Sequence, residues 1–309
     1  MKTILITGIG GDVAQGVATI VRECRPEFRL IGTDIHVEHG GELYVDAVFR
    51  VPRAEDAGYL SSLTSLIERE GVDIVIPTSE AELAAIGPLM HQLGKARWIT
   101  SGYRAIAAGV DKLATVQMLR RLGLPAPWTI RADEALPESY PCILKDRFGS
   151  GSRSVLMIND VREAESISRV RPKALFQELL RPVDREITCA VYRTQADTIG
   201  VLQMLRRLSG GLTTWARVIR DDAVERTCEV LARGLVLQGS MNVQMKLTDQ
   251  GPRVFEINPR FSSTVLMRHK LGFTDVIWAL DELEGRPVKF PEVPEGRVVV
   301  RTQSAAVLR

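Results

Sequence analysis

Asn242-Val243-Gln244-Met245-Lys246-Leu247-Thr248-Asp249-Gln250-Gly251-Pro252-Arg253-Val254-Phe255-Glu256-Ile257-Asn258-Pro259-Arg260 is the stretch on which the reading of this chain turns. Apolar and polar residues alternate with a period of two on either side of a turn sequence, which predicts a β-hairpin. Gln244, Glu256, Asn258 and Arg260 share one parity and so one face. A three-residue loop from Asp249 to Gly251, with the glycine left-handed, sets Thr248 against Pro252, Lys246 against Val254 and Gln244 against Glu256. Opposed residues bring their Cβ atoms to about 4.5–5.5 Å, close enough for the Gln244 carbonyl and the Glu256 carboxylate to share a cation. One carboxylate and two amides are hard oxygen ligands of the kind Mg²⁺ takes alongside water and phosphate. Arg260, past the proline that ends the strand, offers a planar fork to a phosphoryl group. The same face would also serve as the solvated side of an ordinary hairpin, so the rest of the chain must discriminate.

Working back from the hairpin, residues 128–130, 142–145, 155–158, 174–177, 186–192 and 198–206 read as strands, with helices near 160–169 and 222–235. A helix near 265–271 and a strand at 297–302 follow the hairpin. In the first hundred residues, strands at 4–7, 30–33, 47–51, 74–77 and 98–100 alternate with helical patterns at 13–22, 57–69 and 80–93, the signature of a parallel doubly wound sheet. The expectation is an α/β Rossmann-like domain over residues 1–105, then an α+β core over 106–290. That core divides into subdomains of about 127–180 and 181–290, with a closing strand and tail over 291–309.

At 309 residues, with 45% hydrophobic and 25% charged side chains, the composition is that of a globular protein of about two domains. A formal net charge of +2 makes no case for nucleic acid, and no apolar run is long enough to span a membrane. Cys24, Cys142, Cys189 and Cys228 form no CxxC pair, so reduced thiols and a cytoplasmic setting are expected. His36, Glu38 and His39 lack a further nearby ligand for zinc.

Other segments carry chemistry. Residues 141–145 form an apolar strand ending in Lys145, followed by a loop containing Gly149, Ser150, Gly151 and Ser152 that can present backbone N–H groups to phosphate. A Walker loop would place its lysine after the glycines, so this is a different device. Gln177-Glu178-Leu179-Leu180 interrupts another strand, Glu186 follows eight residues after Glu178, and Lys112 heads an amphipathic helix. Arg206-Arg207 before Gly210-Gly211 reads either as a clamp for a carboxylate or acyl-phosphate, with Arg206 catalytic, or as a solvated hairpin tip. Gly8-Ile9-Gly10-Gly11 follows the first strand, but Val13 stands where a dinucleotide fingerprint wants its third glycine. The turn therefore either eases a tight strand-to-helix connection or, with the loop 77–80, faces a substrate.

In that order, these residues resemble the ATP-grasp superfamily over roughly residues 101–285, with the synthetase units of the carbamoyl-phosphate synthase large subunit and related carboxylate–amine ligases closest in pattern. The resemblance implies Lys145 on the α- or β-phosphate, Lys112 on the nucleotide, and the 149–152 loop closing over the phosphates. Gln177, Glu178, Leu179 and Leu180 are implied as the adenine hinge and Glu186 as the ribose-binding acid. Gln244, Glu256 and Asn258 would hold one or two Mg²⁺ (or Mn²⁺) ions, and Arg260 would meet the transferred phosphoryl group. The implied activity is an ATP-dependent ligase acting on a small carboxylate and an amine, with no nucleic-acid or membrane partner and a homodimer left open. The alternatives are an ATP-binding sensor without turnover and an NAD(P)-dependent oxidoreductase using the first domain.

Overall fold

A computed structural model describes residues 1–149 and 155–308, the side chains at 90–92 excepted. Ser150, Gly151 and Ser152 of the expected phosphate loop lie outside the described residues. The first unit runs β1 (Thr3–Thr7), α1 (Asp12–Cys24), β2 (Arg29–Asp34), β3 (Ala47–Arg50), α2 (Tyr59–Arg69), β4 (Ile74–Ile76), α3 (Glu80–Ile86) and β5 (Arg97–Trp98). Its parallel sheet has the order β3-β2-β1-β4-β5. All five residues of β1 are buried, which requires cover on both faces. Val13, Val17, Ile20 and Val21 of α1 supply one side, and Tyr59, Leu63, Leu66 and Ile67 of α2 the other.

Helices α4 (Tyr103–Gly109) and α5 (Lys112–Arg121) lead into a four-stranded antiparallel sheet. Its strands are β6 (Thr129–Arg131), β7 (Cys142–Lys145), β8 (Leu156–Ile158) and β9 (Leu175–Glu178), in the order β6-β9-β7-β8, with α6 (Val161–Val170) between β8 and β9 in the chain. A six-stranded antiparallel sheet follows, five of its strands being β10 (Glu186–Arg193), β11 (Ile199–Ser209), β12 (Leu212–Val218), β13 (Gly239–Thr248) and β14 (Gly251–Asn258), with α7 (Asp222–Gly234) between β12 and β13 in the chain. The chain closes with α8 (Val265–Lys270), α9 (Asp275–Leu283) and β15 (Val298–Val300). This sheet has the order β14-β13-β10-β11-β12-β15, so the closing strand joins the edge of the large sheet. Helix α1 docks on α8 at Gly16, where a Cβ would fall 2.7 Å from Val265 Cγ1.

The hairpin forms with Gln244 opposite Glu256, but its turn differs from the expected one. Thr248 pairs with Gly251, Leu247 with Pro252, Lys246 with Arg253 and Met245 with Val254, leaving a two-residue tip, Asp249-Gln250. Gly251, at φ 97°, opens the second strand instead of closing the loop. A bulge then inserts Phe255 between Val254 and Glu256, and this one-residue slip restores the pairing at the polar face. Two further elements escape the alternation reading: β12, in the segment read as a clamp tip, and α9.

Helix α7 ends in a Schellman motif, with Val236 N–H donating to Arg233 O (3.0 Å) and Leu237 N–H to Ala232 O (2.9 Å). The motif requires a left-handed residue at position 236, and Val236 adopts φ 51° despite its branched Cβ. Val236→Gly should therefore stabilise the fold by about 1 kcal/mol, the left-handed cost of an L side chain less the extra entropy of an unfolded glycine. A urea-melt midpoint at or below that of the parent would refute the strain.

Candidate functional site

A cavity of about 440 Å³ opens between the two antiparallel sheets. The large sheet contributes Glu186 from β10, Arg206 from β11, Gln244 and Lys246 from β13, and Phe255 and Glu256 from β14. The small sheet contributes Lys145 from β7 and Gln177 and Glu178 from β9, with Leu179 and Leu180 just beyond, while Lys112 and Gly149 close one end. Most of the expected nucleotide residues thus converge on one space. Asn258 and Arg260 do not line it; they lie further along β14 and beyond its end, and Arg260 lines the seam with the N-terminal sheet.

Lys145 is 6% exposed, and its Nζ donates to the Phe255 carbonyl at 3.1 Å. The bulge explains this contact, because the inserted residue stands outside the regular ladder pairing and its carbonyl is open to a side-chain donor. Burial pulls the Lys145 ammonium down to about 8; Lys112 adds to the effect and Glu256 opposes it. Lys112 Nζ donates to the Gly149 carbonyl. Asp111 caps α5 through Leu113 N–H (2.9 Å) and Ala114 N–H (3.4 Å) and accepts Arg147 Nη2 at 2.6 Å. One carboxylate therefore ties the linker helix to the start of the glycine loop.

On the opposite wall, Glu186 accepts Arg206 Nη2 at 2.5 Å and lies 2.7 Å from Lys246 Nζ. Burial raises the Glu186 carboxyl, but the two cations outweigh it and hold the group below its ordinary value. Arg206 also donates to Gln244 Oε1 at 2.9 Å, so it is a buried tie between β10 and β13 and no solvated tip. Its neighbour Arg207 stacks on Trp215, 4.6 Å from the ring centroid. Glu178 takes the Trp128 N–H at 3.3 Å, and Gln177 Nε2 donates to Thr129 Oγ1 at 2.9 Å, fixing β9 against β6.

The donor set on the hairpin suits a hard cation. Among the described residues the Glu256 carboxylate has no hydrogen-bond or ion-pair partner, although it faces the cavity. The Gln244 and Asn258 carbonyls each accept one guanidinium N–H, leaving each a second lone pair. No cluster of three His, Cys, Asp or Glu placed to hold a metal ion occurs among the described residues, so the hairpin offers one carboxylate and two amides.

Arg260 Nη2 donates to Asn258 Oδ1 (3.2 Å) and to Glu80 Oε1 (2.8 Å), joining the hairpin to the N-terminal unit. Burial raises the Glu80 carboxyl, Arg260 opposes this, and Glu256 adds to it. The loop before α3 is marked in the sequence by its place at the carboxyl end of β4, but the Arg260 partner lies 180 residues away and leaves no local signal. At the first glycine turn, the Gly10 N–H donates to Asp34 Oδ2 at 2.9 Å. A Cβ on Gly10 would fall 3.1 Å from the His39 ring. The second glycine of the turn and the acid that ends β2 are thus bonded to each other.

Residues 110–264 match the family described as an ATP-grasp domain, just over half of the chain. The D-alanine–D-alanine ligase of Mycobacterium sp. (strain KMS) is 28% identical over 225 residues, covering 60% of this chain and 60% of that protein. The carbamoyl phosphate synthase large chain of Clostridium acetobutylicum is 23% identical over 309 residues, covering 92% of this chain and 27% of that one. The chain therefore spans about three-fifths of the first relative's length and about a quarter of the second's. In fold it is similar to N5-carboxyaminoimidazole synthetase from Staphylococcus aureus complexed with ADP, with a TM-score of 0.76 at 17% identity, covering 93% of this chain and 78% of that one.

Proposed function

The chain belongs to the ATP-grasp family, and from that premise we propose that it is an ATP- and Mg²⁺-dependent ligase joining a small carboxylate to an amine. The observation that carries the proposal is the convergence of Lys145, Glu186, Gln244 and Glu256 on one cavity from four strands of two sheets. A merely solvated hairpin has no reason to bury a lysine beside its carboxylate.

Adenine lies against Glu178 and the apolar hinge at Leu179 and Leu180, and its ribose toward Glu186. Lys145, Lys112 and the glycine loop grip the phosphates. Mg²⁺ or Mn²⁺ held by Gln244, Glu256 and Asn258 would offset the phosphate charge. Arg260 directs its guanidinium to the transferred phosphoryl group, at the seam where the substrates enter between core and N-terminal sheet. A substrate carboxylate oxygen attacks the γ-phosphorus as the bond to the bridging oxygen breaks and ADP leaves. The amine nitrogen then attacks the acyl carbon, phosphate departs, and the amine proton passes to solvent. Binding geometry and charge do most of this work, and no side-chain nucleophile is needed.

ADP release over a panel of amino acids and small carboxylates tests the reading. The expected result is release with a subset of them, and hydroxamate formation when hydroxylamine replaces the amine. AMP in place of ADP would sink the acyl-phosphate route, and ATP binding without ADP for any member would favour a sensor.

A further inference from the structure

Ligands of open parallel sheets bind outside the carboxyl ends of the strands, and here only part of that edge is used by the site above. Glu80 follows β4, whereas β2 and β3, on the other side of β1, end in a separate groove of about 510 Å³. Its lining includes the apolar Val51 and Pro52, the basic His36, Arg50 and Arg53, and the acid Asp56. Among the described residues, neither guanidinium nor the His36 ring has a hydrogen-bond or ion-pair partner. The nearby acids are engaged by backbone: Asp34 accepts the N–H groups of Gly10 (2.9 Å) and His36 (3.0 Å), and Asp56 accepts that of Arg53 (3.2 Å). Two guanidinium groups and the His36 ring therefore share this concave space with one lining carboxylate, Asp56.

We propose that this groove binds a phosphate or carboxylate anion, with Arg50 and Arg53 as its principal donors and His36 beside them. Paired guanidinium forks match the oxygens of either group, and Arg50 and Arg53, three residues apart in the chain, both line the groove. The site fits the ligase reading and deepens it. Neighbouring strands stand about 4.8 Å apart, so the three steps from β4 to β3 span roughly 14 Å. A substrate whose reacting carboxylate lies at the Glu80–Arg260 seam would reach the groove with its far end if it is extended and carries a second negative group. Glu80 and Arg260 thus mark one end of the substrate space, and Arg50 and Arg53 the other.

The test titrates inorganic phosphate into ¹⁵N-labelled full-length protein and into the Arg50→Ala/Arg53→Ala double variant, with ATP affinity measured on both. We expect phosphate to shift the His36 and Arg53 amides and the arginine Nε resonances, with binding weakened about 10-fold or more in the variant and ATP affinity unchanged. Equal phosphate affinity in the two proteins, or shifts confined to the Lys112–Lys145 cavity, overturns the site. A second arm compares ADP release with alanine, aspartate and phosphoserine. A KM rise of about 10-fold for aspartate or phosphoserine, but not for alanine, assigns the anion to the substrate's far end. Unchanged KM values with the phosphate shifts intact assign it to a separate anionic ligand and still support the site. If no compound releases ADP, the ligase reading fails while the phosphate titration remains decisive for the groove.

Discussion

Arg268→Met should lower the unfolding free energy by about 3–5 kcal/mol, read from urea melts, with a fall in Tm of roughly 10 °C. Arg268 and Asp275 are both 0% exposed, and their pairing is bidentate, with Nε to Oδ1 at 3.0 Å and Nη2 to Oδ2 at 2.5 Å. Removing the guanidinium leaves a carboxylate in the interior to which, among the described residues, only the Ser240 hydroxyl donates, at 2.5 Å. The large cost is that of an unpaired buried charge, more than of the lost attraction itself. Arg268→Met/Asp275→Leu should therefore regain much of the loss, because the double variant strands no charge. A double variant that is additive with the two single changes would contradict this account. The pair also reaches the site. Arg268 Nη1 donates to Ser262 Oγ (3.1 Å), which donates to Asn242 Oδ1 (3.1 Å), and Asn242 stands opposite Asn258 in the hairpin.

The part of this architecture that was legible from the chain is the part governed by local periodicity. Gln244, Glu256 and Asn258 alternate with buried Val243 and Ile257, so their shared face follows from the pleat. The buried runs Ile4–Ile6 and Ile74–Ile76 mark parallel strands because a sheet covered on both faces needs no polar side. What escaped depends on pairing partners. Phe255 bulges without any residue that announces it, and the misplaced turn and the bulge cancelled, giving the right pairing at Gln244 for an incomplete reason. The burial of Arg206 beside Glu186 could not be read from its own segment, because it depends on the register Ile187↔Leu205 that brings the two strands together. Glu80 and Arg260 meet only because the two sheets pack at one seam.

Lys145→Met should reduce kcat/KM for ATP roughly 10²–10³-fold, the loss typical of a preorganised donor aimed at developing charge, with little change in Tm. The pH dependence distinguishes this lysine from a surface one. Burial brings its pKa from the ordinary 10.5 to about 8. Between those values the unfolded chain holds the proton and the folded chain does not, so this group makes stability rise with pH across that window. Nucleotide acts in the opposite sense, since a polyphosphate beside Nζ favours the ammonium form. ATP binding should accordingly take up a proton above pH 8 and weaken as pH rises, whereas Lys145→Arg, charged throughout, should bind ATP with no such slope. Calorimetry of ATP binding in two buffers of different ionisation enthalpy measures the uptake directly. A wild-type protein that binds ATP at pH 9 as tightly as at pH 7, with no proton taken up, would remove Lys145 from the phosphate-binding role. A guanidinium does not titrate in this range, so a slope present in the wild type and lost in Lys145→Arg assigns the proton to Lys145.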